Sequence, residues 1–157
     1  MRHSDVLAVA GFTLTAGVHA AGTTIPRHAH DGATLCLAVK GAFREYAPGR
    51  ATTCYPSTLK VTPAGEPHWN RFDLGDTRGL LVEVSPARVE ALGAAGAVLD
   101  RPTHDEGGLP AALALRVYEE FATRDSATAL AVEGLLLELL AVLARQPPPR
   151  AAARTRW

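Results

Sequence analysis

Hydrophobic and polar positions change period once along this chain, near residue 85. Ahead of that point the apolar residues come in short runs rich in β-branched side chains. Residues 6–10, 11–18, 34–40, 42–46, 58–62 and 79–84 are predicted strands. Turn residues separate them: Ala47-Pro48-Gly49, Pro63-Ala64-Gly65 and residues 73–77. Many short strands at regular spacing predict a sandwich or a small barrel.

Beyond residue 85 the pattern is helical. Ser85-Pro86 is a helix start, an N-cap serine followed by proline at the first helical position. Leu109, Leu113, Val117 and Phe121 recur every four residues with Tyr118 beside them, which is one apolar helix face. Asp125 or Ser126 is the expected cap of a longer helix ending near Arg145. Its second half, GLLLELLAVLA, is apolar almost all round and must be covered on two sides. One cover is the first helix and the barrel. The other is either a second subunit, with Leu136, Leu139, Leu140 and Leu143 as dimer contacts, or loops of the same chain. The expected organisation is a β-barrel over residues 1–84, a helical appendage over 85–145 and a Pro/Arg linker over 146–157.

Composition narrows the function classes. The 157 residues fit one domain, and 47% of them are apolar, enough for a real core. Lys plus Arg and Asp plus Glu number 16 each, so the formal net charge is zero and the chain lacks the electrostatic footprint of a nucleic-acid binder. Arg145, Arg150, Arg154 and Arg156 gather around the proline run and read as a tether. Two cysteines, Cys36 and Cys54, are too few for a disulfide scaffold. No secretory signal pattern follows Met1, and no apolar run reaches membrane-spanning length. The expected location is the cytoplasm.

Histidines carry the candidate chemistry. On a strand, His28 and His30 point to one face. His68 follows a tight turn, Pro63-Ala64-Gly65-Glu66-Pro67, that can return the next strand to the first. Three neutral imidazoles around an open pocket suit a divalent transition metal and leave a coordination position free. The alternative is a pocket in which the same imidazoles hydrogen-bond to an organic ligand without metal. His3, His19 and His104 have no comparable spacing and read as surface or structural.

These residues carry a family resemblance. Gly22, five residues, His28-Ala29-His30, three residues, Thr34, six residues and Gly41 are similar to the first cupin motif. Ser57, five residues, Pro63-Ala64-Gly65, two residues, His68, three residues and Phe72 are similar to the second. The resemblance implies a mainly β fold: a cupin double-stranded β-helix, or small jelly-roll barrel, followed by two to three C-terminal helices, with its pocket at the histidines. In the metal-binding pattern a glutamate occupies the slot of Thr34, a glycine that of Ser57 and an asparagine that of Phe72. Without the glutamate the site has no anionic ligand and leans towards zinc or copper. Cys36 shares the face of Thr34 on a regular strand and is a candidate soft fourth ligand, although such a cysteine is more often a small core residue. Cys54 reads as packing.

The string HAHDGATLCLAVKGAFRE, then STLKVTPAGEPHWNRF, two helices and a Pro-Arg linker resemble the N-terminal sensing domain of AraC-type transcription regulators. The resemblance implies a non-enzymatic, effector-binding cupin that dimerises through its helices. It also implies a linker that leads to a helix-turn-helix domain which this chain does not contain. The chain then reads as an excised sensor domain or a truncated relative, without DNA binding of its own. Candidate pocket contacts are His28, His30, Thr34, Cys36 and His68, with Tyr46, Trp69 and Phe72 beside them. Glu45 and Arg44 alternate with Tyr46 on the same predicted strand. The competing class is a small metal-dependent cupin enzyme, a dioxygenase or isomerase, with the three histidines as ligands. Glu66, in a turn, and Asp31, pointing away from His30, make poor general acids or bases for it. A third reading is a metal sensor.

Overall fold

In the computed structural model, which describes residues 5–147, the strands form two antiparallel sheets. In chain order they are β1 (Val6–Val9), β2 (Phe12–His19), β3 (Thr23–His28), β4 (Ala33–Lys40), β5 (Phe43–Ala47), β6 (Arg50–Cys54), β7 (Thr58–Thr62), β8 (His68–Phe72), β9 (Thr77–Val84) and β10 (Thr103–Glu106). One sheet runs β1-β2-β9-β4-β7-β10 and the other β3-β8-β5-β6. The helices are α1 (Pro86–Ala91), α2 (Gly108–Thr123) and α3 (Thr128–Arg145), with a 3-10 segment over Gly93–Asp100. The two sheets face each other as a jelly-roll barrel, and the motif segments carrying His28 and His68 are hydrogen-bonded neighbours. This is the expected mainly β jelly-roll architecture with C-terminal helices. Among the described residues no helix is long and apolar enough to cross a membrane. His3 and the linker from Pro148 onwards lie outside the described residues.

Turn chemistry sets the strand order locally. Ala10 and Gly11 both have positive φ, +48° and +81°, in a two-residue hairpin that pairs Val9 with Phe12. Gly41 closes the first motif at φ +73°, and a Cβ there would fall 2.2 Å from the Asp76 carbonyl oxygen. Ser57 stands at φ +66°, in the left-handed region that glycine adopts most readily. A serine there costs about 1–2 kcal/mol.

The six-stranded sheet has two different faces. Leu35, Leu37, Leu59, Leu80 and Val82 point away from the barrel and meet Ala114 and Val117 of α2 and Leu136 and Leu139 of α3. Thr34, Cys36 and Thr62 alternate with them and face the lumen. Both faces are covered, so β4 and β7 are buried along most of their length. Leu136, Leu139, Leu140 and Leu143 are each only 1% exposed. The chain itself covers them, which corrects their assignment as dimer contacts. Each buried leucine contributes about 1.5–3 kcal/mol of burial.

The helix start at Ser85-Pro86 forms as expected, with Ser85 Oγ accepting from the Arg88 N–H at 3.2 Å. Asp125 Oδ1 accepts from the Ala127 N–H at 2.9 Å and holds the turn into α3, which begins at Thr128. Leu109 is 56% exposed, and the buried stripe of α2 starts at Pro110 and continues through Leu113, Val117 and Phe121. The pattern change at residue 85 does not separate two cores. Strand β10 joins the sheet beside β7, and one apolar cluster runs from Phe12 to Leu143.

Strands β3, β6, β8 and β10 escaped the sequence pattern. Along β8, His68 and Asn70 face the lumen while Trp69 and Arg71 face outward, so polar side chains occur on both sides and the apolar alternation disappears. Strand β3 contains Pro26, which is tolerated because β3 is a sheet edge.

Candidate functional site

The backbone brings the three histidines together by two routes. His28 ends β3 and pairs directly with His68 at the start of β8. His30 lies two residues past the end of β3, outside regular strand, so the shared-face argument does not apply to it. Its loop is tied down instead by the Gly65 N–H, which donates to the His30 carbonyl at 2.9 Å. The ring centroids are 4.3 Å apart for His28 and His68, 5.0 Å for His28 and His30, and 5.3 Å for His30 and His68. One nitrogen from each ring lies within 4.8 Å of the others.

Hydrogen bonds orient two of the rings. His28 Nδ1 lies 2.8 Å from the Pro26 carbonyl oxygen, and His68 Nδ1 lies 3.0 Å from that of Glu66. A carbonyl only accepts, so both Nδ1 atoms donate, and in a neutral ring with that tautomer Nε2 carries the free lone pair. His30 Nδ1 faces the Glu83 carboxylate at 4.0 Å. A second partner that fixes the ring and leaves the other nitrogen free is the arrangement metal-binding histidines need. Burial lowers the pKa of His30 and of His68, and the neighbouring His28 lowers both further. Glu83 and Asp31 oppose this at His30, as does the Glu66 carbonyl bond at His68. Neutral rings are the ligating form. The donor set therefore fits a divalent transition metal, and His28, His30 and His68 can form a metal site.

The triad opens on a lumen cavity of about 260 Å³. Thr34, Cys36 and Phe72 line it, as the sequence indicated. Cys36 does not join the donor cluster, however, and burial raises its thiol pKa despite the Lys60 ammonium. Cys54 packs with Ala38, Phe43 and Phe72, and its thiol is pushed up to about 12 by burial.

Tyr46 and Trp69 are misplaced by the sequence reading. Register decides this. Phe43, Glu45 and Ala47 of β5 point inward, and Arg44 and Tyr46 point outward. Tyr46 stacks on Trp69 across the outer face of the sheet, with centroids 5.7 Å apart and Arg27 beyond. Arg44 pairs with Asp73 at 3.4 Å.

Three further residues matter. Glu45 is buried in the lumen, ion-paired with the buried Lys60, and accepts from Asn70 Nδ2 at 3.2 Å. Its inward direction was one of two alternatives on an alternating strand, and only the register chose between them. His19, which read as surface or structural, lines the cavity and stacks flat on Phe72 at 4.1 Å. Its position two residues after Gly17 on β2 is the only signal the sequence offers for it. Glu66 is half-buried and paired with Arg50, not free in its turn. His104 is exposed on β10.

No family model and no curated protein matches the chain. Among solved structures it is similar to a cupin 2 conserved barrel domain protein from Leptotrichia buccalis, with 23% identity over 53% of this chain and 40% of that one and a TM-score of 0.49. A conserved protein of unknown function from Streptococcus pyogenes matches at 24% identity over 54% of this chain and 74% of that one, TM-score 0.49. A cupin superfamily protein from Desulfitobacterium hafniense matches at 19% identity over 53% and 76%, TM-score 0.49. The match thus spans well under half of the Leptotrichia protein.

Proposed function

We propose that this cupin barrel is an effector-sensing domain of the AraC type. In this reading it binds a small molecule in the lumen beside a divalent transition metal held by His28, His30 and His68. Three imidazoles with no anionic ligand favour zinc or copper. The observation that carries the sensing role is the alternation along β4, β7 and β9. Thr34, Cys36, Thr62 and Leu81 face the cavity, while their sequence neighbours Leu35, Val61 and Leu80 belong to the core shared with α2 and α3. A ligand that prefers one lumen geometry shifts the same strands on which the helices rest, and occupancy biases the helical layer.

A second reading is a metal-dependent cupin enzyme, favoured by the clustering of three imidazoles on an open cavity. Metal content and helix exchange separate the readings. About one equivalent of bound metal, lost in His28→Ala and His68→Ala by mass spectrometry, is expected under both. Slower hydrogen exchange in α2 and α3 when a ligand binds is expected only for the sensor. Metal binding with no response of the helices to any ligand would favour the enzyme.

A further inference from the structure

The charge balance and shape of the lumen point to the chemistry of its ligand. A divalent ion on three neutral imidazoles carries two uncompensated positive charges. Among the described residues no carboxylate joins the donor cluster. Thr34 occupies the position next to it and is neutral. Glu45 is buried in the same cavity but already neutralised by Lys60 and bound by Asn70. Glu83 stands behind His30, on its Nδ1 side. In a low-dielectric cavity that charge is best met by an anionic oxygen on the ligand itself.

The other end of the lumen differs. His68 and Phe72 are four residues apart on β8, which places them about 13 Å apart along the strand. Around Phe72 the walls are aromatic, with Phe43 5.2 Å from it and His19 stacked on it at an interplanar angle of 14°, and exposed Arg78 lines the rim of the cavity beside them. Gly17 makes room for the His19 ring, since a Cβ there would stand 3.2 Å from its Nε2. His19 is half-buried and its side chain lines the cavity. Thr77, paired in register with His19 and lining the same cavity, adds a hydroxyl. An imidazole beside a hydroxyl is a hydrogen-bonding station at this aromatic end of the cavity.

Resting on the metal-centre reading above, we infer that the lumen binds a small conjugated or aromatic carboxylate. Its anionic oxygen faces the triad, its flat body lies along the Phe43–Phe72 wall, and a polar substituent reaches His19. His19 is thus a specificity residue for the end remote from the metal.

The test uses the full chain loaded with cobalt(II) and read by visible absorption. It is titrated with 4-hydroxycinnamate, with its neutral amide and with cinnamate. The acid is expected to perturb the cobalt spectrum and to bind about tenfold or more tighter than the amide, as loss of one charge-assisted contact implies. His19→Phe keeps the stack on Phe72 and is expected to weaken 4-hydroxycinnamate about fivefold while leaving cinnamate unchanged. His19→Gln, which keeps a hydrogen-bonding group, should restore part of the difference and serves if the Phe variant fails to fold. No cobalt uptake would overturn the metal centre and this inference together. Cobalt uptake with equal binding of acid and amide, or with no binding of either, would overturn the inference and leave the metal centre standing. A His19→Phe effect equal on all three compounds would overturn the assignment of the remote end.

Discussion

The six-stranded sheet has one face sealed by helices and the other open to the lumen, and the two obey different rules. On the helix side, Leu35, Leu59 and Leu80 interdigitate with Leu136 and Leu139 in a sealed apolar layer. On the lumen side, threonines, four histidines and Glu45, itself paired with Lys60, surround about 260 Å³ of open space. The first face supplies stability through burial. The second gives up burial for polar groups held in place by partners, and its folding cost is offset by the helix-side core. The same three strands carry both, so stability and binding are coupled through residues adjacent in sequence.

The largest expected effect breaks the polar side. Lys60→Met leaves Glu45 buried without its counter-ion and is expected to cost about 3–5 kcal/mol in denaturant unfolding. Glu45→Gln with Lys60→Met removes both charges and keeps an acceptor for Asn70, so the double variant should recover most of that loss. On the helix side, Leu139→Ala is expected to cost about 2–5 kcal/mol through lost burial and a cavity. It should leave metal content unchanged, whereas equal damage to both would mean that the two faces are not separable.

The smallest effect comes with pH. Burial lowers the pKa of His19, His30 and His68 in the folded chain. Below about 6.5, the ordinary histidine value, the unfolded chain therefore holds more protons than the folded one. Stability of the metal-free protein is fully present above that pH and is expected to decline as pH falls through the folded values. Unfolding midpoints from pH 8 to pH 5 in the presence of a chelator measure this. A midpoint rising towards acid would contradict the burial of these rings.

Helix-facing positions were legible in the sequence because burial on that side demands apolar residues at a fixed period. The stripe from Leu113 to Phe121 and the Ser85-Pro86 start follow from side-chain chemistry alone. So does the triad, since the turn around Gly65 and the spacing of His28, His30 and His68 are written in the chain. Lumen-facing positions carry no such constraint. A polar lumen erases the alternation that marks a strand, which hid β8 and left Tyr46, Trp69 and His19 on the wrong sides. A one-residue change of register reverses which side chains face inward. That choice rests on hydrogen bonds between strands far apart in the sequence, such as Glu45 opposite Asn70 and His19 opposite Thr77. The sequence by itself therefore determined the fold class, the helical layer and the identity of the triad. Only the tertiary structure decided which other residues share the triad's cavity, and that the leucines of α3 are covered by their own chain, because both depend on pairing and packing between distant segments.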